Sequence, residues 1–236
     1  MAYNPYNLPD SMNTTWLDVS VSSVMKRVYV KMTLGLIVTA LVSLWCASTP
    51  AVMSFFATHS FMMWVLIIVE FGLVFGISGG INKLSSSAAT GLFYLFAVVN
   101  GLMLFPIFMG YTHTSIAKTF FITAGTFGAM SIFGYTTKQD LTKFGTYLIM
   151  ALFGLIIVSI VNIFAKSSSL EWIISGVGVL IFIGLTAWDT QTIKRWAESA
   201  PAESTGKLAT LGALSLYLDF INLFLYLLRF FGRGND

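Results

Sequence analysis

Residues 208–230 read LATLGALSLYLDFINLFLYLLRF. The run is long enough to cross a bilayer, which takes ~20 mostly apolar residues. Yet it holds a carboxylic acid, Asp219, with apolar residues on both sides. At 100° per residue, Ser215, Asp219, Asn222 and Tyr226 fall within about 60° of one another, forming one polar stripe on an apolar helix. In lipid each unsatisfied polar group costs several kcal/mol. The stripe therefore has to face protein or water, and this helix is expected inside a bundle.

Six further apolar runs precede it, at 29–49, 60–81, 88–110, 117–136, 145–165 and 172–193. Continuous apolar runs indicate helices, because a membrane barrel shows alternating segments of ~10 residues. Of the 236 residues, 56% are hydrophobic and 10% charged, against about 25% charged in a soluble domain. The fold class expected is an all-α membrane protein with seven transmembrane helices and the lipid bilayer as its solvent. Residues 1–28 are expected to be a loosely ordered polar lead without a secretory signal, and 29–236 a single seven-helix domain.

The charge is arranged by side. With seven spans, the N-terminal side receives Lys26, Arg27, Lys31, Lys83, Lys138, Lys143, Lys194, Arg195 and Lys207, and the other side Lys118, Lys166, Arg229 and Arg233. Nine against four places the N-terminus in the cytoplasm by the positive-inside rule, in a cell inner (plasma) membrane. The net charge of +3 is loop charge of this kind and not a nucleic-acid footprint.

Several residue types invite chemistry. Cys46 is the single cysteine, and His59 and His113 stand apart in loops, so no metal site and no resident cofactor is expected. Gly72, Gly76 and Gly80 repeat every fourth residue, a spacing that lets helices approach closely, within the bundle or across a dimer face. Pro106 should free the carbonyl of Leu102 and bend the third span.

The carboxylates are more pointed. Of ten acidic residues, only Glu70, Asp189 and Asp219 fall within apolar runs. Each costs about 2.5–3.5 kcal/mol at the centre of a spanning helix, so each is a functional candidate. Asp189 lies ~9 Å and Asp219 ~10 Å in from the same side at 1.5 Å per residue. Two carboxyls at one depth can share one proton, because close like charges do not both ionise cheaply. Glu70, midway along the second span, is a polar contact of the interior or of a path, with no partner named by its neighbours.

Residues 128–141 (GAMSIFGYTTKQDL), 185–191 (LTAWDTQ) and 212–224 (GALSLYLDFINLF) together resemble the Bax inhibitor-1 family, most closely its bacterial branch. The resemblance covers nearly all of the chain beyond the lead. It implies seven helices with the last one central and wrapped by the other six. It also implies a pH-sensitive calcium leak channel in which Asp189 and Asp219 are the pH-sensing pair, with Glu70 matching the family's acidic residue in the second helix. In some members an arginine near the inner end of the second helix latches onto the aspartates. Here that stretch is Ile81-Asn82-Lys83, and Lys83 is the candidate latch without the guanidinium fork.

Three functions follow. The leading one is a calcium or cation leak pathway gated by Asp189 and Asp219, with Glu70, Ser215, Asn222 and Tyr226 as pore-lining or interior polar residues and Ca²⁺ as a candidate permeating ion, since hard oxygens suit a hard cation. The alternative, taken from bacterial relatives, is a regulatory protein that modulates a membrane-embedded ATP-dependent protease. An intramembrane aspartyl protease would also place aspartates in spans six and seven. Its second aspartate follows a Gly-x-Gly segment, however, where this chain has Leu216-Tyr217-Leu218, so no enzyme is expected.

Overall fold

The computed structural model describes residues 10–232, and these are helical almost throughout. In chain order the helices are α1 (Asp10–Ser48), α2 (Pro50–Thr58), α3 (Phe61–Gly80), α4 (Ser86–Gly110), α5 (His113–Thr136), α6 (Thr142–Ala165), α7 (Ser168–Ser199) and α8 (Thr205–Phe231), with a short 3₁₀ turn at Ala202–Ser204. All but α2 are long and apolar enough to cross a membrane, which makes seven spans. Hydroxyl side chains set several of their starts. The oxygens of Ser85, Thr112 and Ser167 accept the backbone N–H of Ala88, Ser115 and Leu170 at 3.1, 3.2 and 3.3 Å.

The surface is apolar where a soluble protein would be charged. Phe164 is 83% exposed, Phe121 74%, Ile68 71% and Trp64 70%. Lipid accommodates such side chains and water does not. The inside is built on α8, the most buried span, which packs against α1, α3, α4, α5 and α7. The peripheral spans α3 and α6 lean mainly on α4 and α7 respectively.

Two expectations need correction. The lead was expected to be loose through residue 28, but α1 begins at Asp10. Val21, Val24, Met25, Val28 and Met32 are all buried. Their spacing is that of one helical face, which lies against the core well before the first fully apolar run. Residues 1–9 lie outside the described residues. The glycine repeat of the second span also behaves differently: a Cβ on Gly72 or Gly76 would meet nothing within 4 Å, so neither packs inside the bundle. Backbones do approach closely elsewhere. A Cβ on Gly134 would collide with the Ala187 carbonyl, and one on Gly145 with the Trp188 ring.

One end of the bundle gathers the cationic loops. Lys207 Nζ donates to the Asn82 carbonyl at 3.2 Å, and Lys194 Nζ to the Tyr135 carbonyl at 3.0 Å. Arg195 donates to Asp140 and to the Thr142 hydroxyl, both at 2.7 Å. The loops after α3, α5 and α7 therefore share one face. With Cys46→Ala as background, Ser85→Cys, Gln139→Cys and Glu203→Cys should react with an impermeant maleimide from one side of the membrane, and Ser168→Cys from the other. Labelling of Glu203→Cys from the Ser168→Cys side would contradict this arrangement.

Candidate functional site

The site lies where α7 meets α8, and the surrounding helices orient it. Trp188 fills the space beside Gly145 on α6. The next residue along α7, Asp189, reaches the Asp219 carboxyl and the Ser215 hydroxyl, both on α8. Asp219 is 4% exposed, and its Oδ2 has no hydrogen-bond partner among the described residues. The two carboxyls are neighbours across the α7–α8 seam, at the matched depth expected from the sequence. A buried carboxyl oxygen without a donor is a position for a proton or a cation, since leaving it bare costs about 1–3 kcal/mol or more.

The rest of the polar stripe divides. Ser215 joins the pair. Asn222 turns back, its Nδ2 donating to the Leu218 carbonyl of its own helix at 2.8 Å. Tyr226 stacks on Phe182, with ring centroids 5.7 Å apart, and covers Gly178, where a Cβ would lie 2.7 Å from the tyrosine ring. It serves as packing between α7 and α8. A crevice of about 240 Å³ opens between α3 and α8, lined by Val74, Ser78, Trp196, Leu211 and Ser215 among others. Ser215 lines it and also lies beside Asp189, so the crevice borders the pair.

Glu70 belongs to a different assembly. Asn100 Nδ2 on α4 donates to its carboxyl. Asn100 Oδ1 lies 3.0 Å from the Tyr217 hydroxyl, which lies 2.6 Å from the Thr39 hydroxyl of α1. Thr39 also reaches the Ala97 carbonyl at 2.8 Å. Tyr217 and Asp219 are about 200° apart around α8. The last helix thus carries two polar layers on opposite faces. The Glu70 layer was not legible as a unit, because Thr39, Asn100 and Tyr217 are each an isolated polar residue in an apolar run.

Lys83 is exposed after the end of α3, and its backbone N–H donates to Gly80 O at 2.9 Å. No described contact carries its side chain to the aspartates. The lysine drawn inside at that end is Lys31, counted above as loop charge. Its Nζ donates to the hydroxyls of Thr90 and Thr210 at 2.7 Å each and lies 3.4 Å from the Gly206 carbonyl, joining α1, α4 and α8.

Two residues beyond Asp189, Gln191 grips the α5–α6 loop. It donates to the Gln139 carbonyl at 2.8 Å and accepts from Leu141 N–H at 2.9 Å. Arg195 completes the clamp on Asp140. Donors from the Thr142 hydroxyl and backbone, and then the Arg195 guanidinium, hold the exposed Asp140 carboxyl well below the usual carboxylate range. A depressed carboxyl adds stability that is complete above its unfolded value of ~3.9 and is lost only as pH falls below it. The clamp therefore does not titrate near neutral pH. Among the described residues, no group of three His, Cys, Asp or Glu could hold a metal ion.

Residues 21–236 match the family described as "Inhibitor of apoptosis-promoting Bax1". The chain belongs to the Bax inhibitor-1 family. It is a multi-pass membrane protein of that family. It is 49% identical over 212 residues to the inner membrane protein YbhL of Escherichia coli, covering 89% of this chain and 91% of YbhL. A Borreliella burgdorferi protein is 47% identical over 213 residues, covering 89% and 92%, and the RP147 protein of Rickettsia prowazekii 40% over 227 residues, covering 96% and 95%. All three matches span the relatives nearly end to end.

The tyrosine layer yields a stability prediction. Tyr217→Phe removes the hydroxyl between Thr39 and Asn100 and should cost about 1–2 kcal/mol, read as a lower Tm of the detergent-solubilised protein. An unchanged Tm would show that the layer contributes nothing to holding α1, α4 and α8 together.

Proposed function

We propose that the chain is a cation leak pathway, with Ca²⁺ as the permeating ion, gated by protonation of the Asp189–Asp219 pair. The observation that carries this reading is the contact of the two carboxyls in the α7–α8 seam, where Asp219 is buried and its Oδ2 has no hydrogen-bond partner among the described residues. With a shared proton the carboxyls attract, and α7 and α8 are held together. Without it they are two like charges at short range, which repel one another and attract a cation. The α3–α8 crevice is the approach from the inner side, with Ser215 as the first oxygen and the carboxylates as the next. Hard oxygens suit Ca²⁺.

In this reading the N-terminus is cytoplasmic and the protein acts in the inner membrane. Glu70, on α3, is tied through Asn100 to the Tyr217 face of α8 and serves as interior structure, not as lining of the path.

Purified protein in Ca²⁺-indicator-loaded vesicles, measured across pH, tests the reading through a double-mutant cycle of Asp189→Asn and Asp219→Asn. Asparagine is nearly isosteric but does not titrate. Each single variant should lose most of the pH dependence, and the double variant should add little to either. Asp140→Asn, which loosens only the exposed clamp, should keep the wild-type pH profile. Additive effects of the two aspartates would end the shared-proton mechanism. Absence of flux from folded wild-type protein would end the leak reading and favour the regulator of a membrane-embedded protease.

A further inference from the structure

The far end of the bundle carries a second polar feature, separate from the aspartates. A pocket of about 520 Å³ lies between the end of α6, the start of α7 and the last turns of α8, lined by Ser159, Asn162, Lys166, Ser168, Glu171 and Arg229 among others. It sits where α6 stops at Ala165 and α7 starts at Ser168, so the turn lies at the edge of the apolar zone, the depth of lipid headgroups.

Lys166 is the unusual member. With φ 47° and ψ 37° it is left-handed, the one non-glycine residue with positive φ among those described. A residue with a Cβ costs roughly 1–2 kcal/mol there, and glycine or asparagine is the ordinary choice at a helix end. The turn is held firmly: Lys166 N–H donates to Asn162 O at 2.8 Å and Ser167 N–H to Asn162 Oδ1 at 3.1 Å. The strained backbone projects an exposed ammonium from the rim of the pocket. Arg229 reaches the same pocket from α8. Its Nε lies 3.7 Å from Glu171 Oε1, a loose pair in which both side chains are about half exposed, 45% and 55%. Two cations against one carboxylate leave the pocket with a net positive charge.

We propose that this pocket binds the phosphate of an anionic phospholipid headgroup, with Lys166 and Arg229 as its cationic partners. Strain persisting at a lysine indicates that its side chain has a use. The lipid is the partner because the pocket opens at headgroup depth beside the exposed apolar faces of α6, which carry Ile163 at 67% and Phe164 at 83% exposure. The site is independent of the aspartate pair and of the leak reading.

The test uses full-length protein in detergent, with phosphatidylglycerol or phosphatidylcholine added and bound lipid counted by native mass spectrometry. The wild type should retain phosphatidylglycerol preferentially. Lys166→Gly and Arg229→Gln should each lower that preference about fivefold, the worth of one interfacial cation. Because glycine takes the left-handed conformation without strain, Lys166→Gly should keep or raise the lipid-free Tm, so a loss of lipid cannot be read as misfolding. Lys166→Asn, which also tolerates the conformation, should match it. Retention of the full preference in Lys166→Gly would overturn the proposal, as would displacement of the lipid by inorganic phosphate, which would mark a free-anion site.

Discussion

The contact between the Asp189 and Asp219 carboxyls governs the architecture around it. Each acid costs about 2.5–3.5 kcal/mol within a span unless it finds a partner, and here each partners the other, with Ser215 beside them. Around this contact α7 packs against α8, with Ser215 beside the acids and Tyr226 stacked on Phe182. Tyr217 lies on the other face of α8, where α1, α3 and α4 supply Thr39, Glu70 and Asn100. The most buried helix of the bundle is therefore also the one with polar groups on two faces, because only inside protein can both faces be satisfied.

Holding two acids at contact distance demands rigid neighbours. Trp188 against Gly145 sets the rotation of α7, and Tyr226 against Gly178 closes the α7–α8 seam further out. At the end of the bundle that gathers the cationic loops, Gln191 and Arg195 tie the same helix to the α5–α6 loop. The α3 side is looser: α3 meets α8 weakly, and the crevice beside Ser215 opens there. The pair thus has packed neighbours on most sides and a gap on the α3 side.

Much of this was legible in the residues. Seven apolar runs became seven spans, and the two aspartates placed at one depth do meet, because helical rise and period are geometric constants. What escaped was long-range. Val21 to Val28 looked polar in bulk, and only their spacing showed the buried face. Gly72 and Gly76 had the spacing of a packing motif but face no helix. Lys83 and Lys31 could not be ranked, since which lysine turns inward depends on Thr90 and Thr210, far away in the chain. Glu70 found its partner in Asn100 on the next span, and no local pattern points there.

The proposed gate rests on one proton held in common by Asp189 and Asp219. Infrared difference spectroscopy of the protein in lipid, titrated across pH, observes that proton through the protonated-carboxyl band. The account predicts a band that belongs to both residues, so that Asp189→Asn and Asp219→Asn each shift its position and its titration midpoint. A band that one substitution abolishes and the other leaves untouched would contradict it.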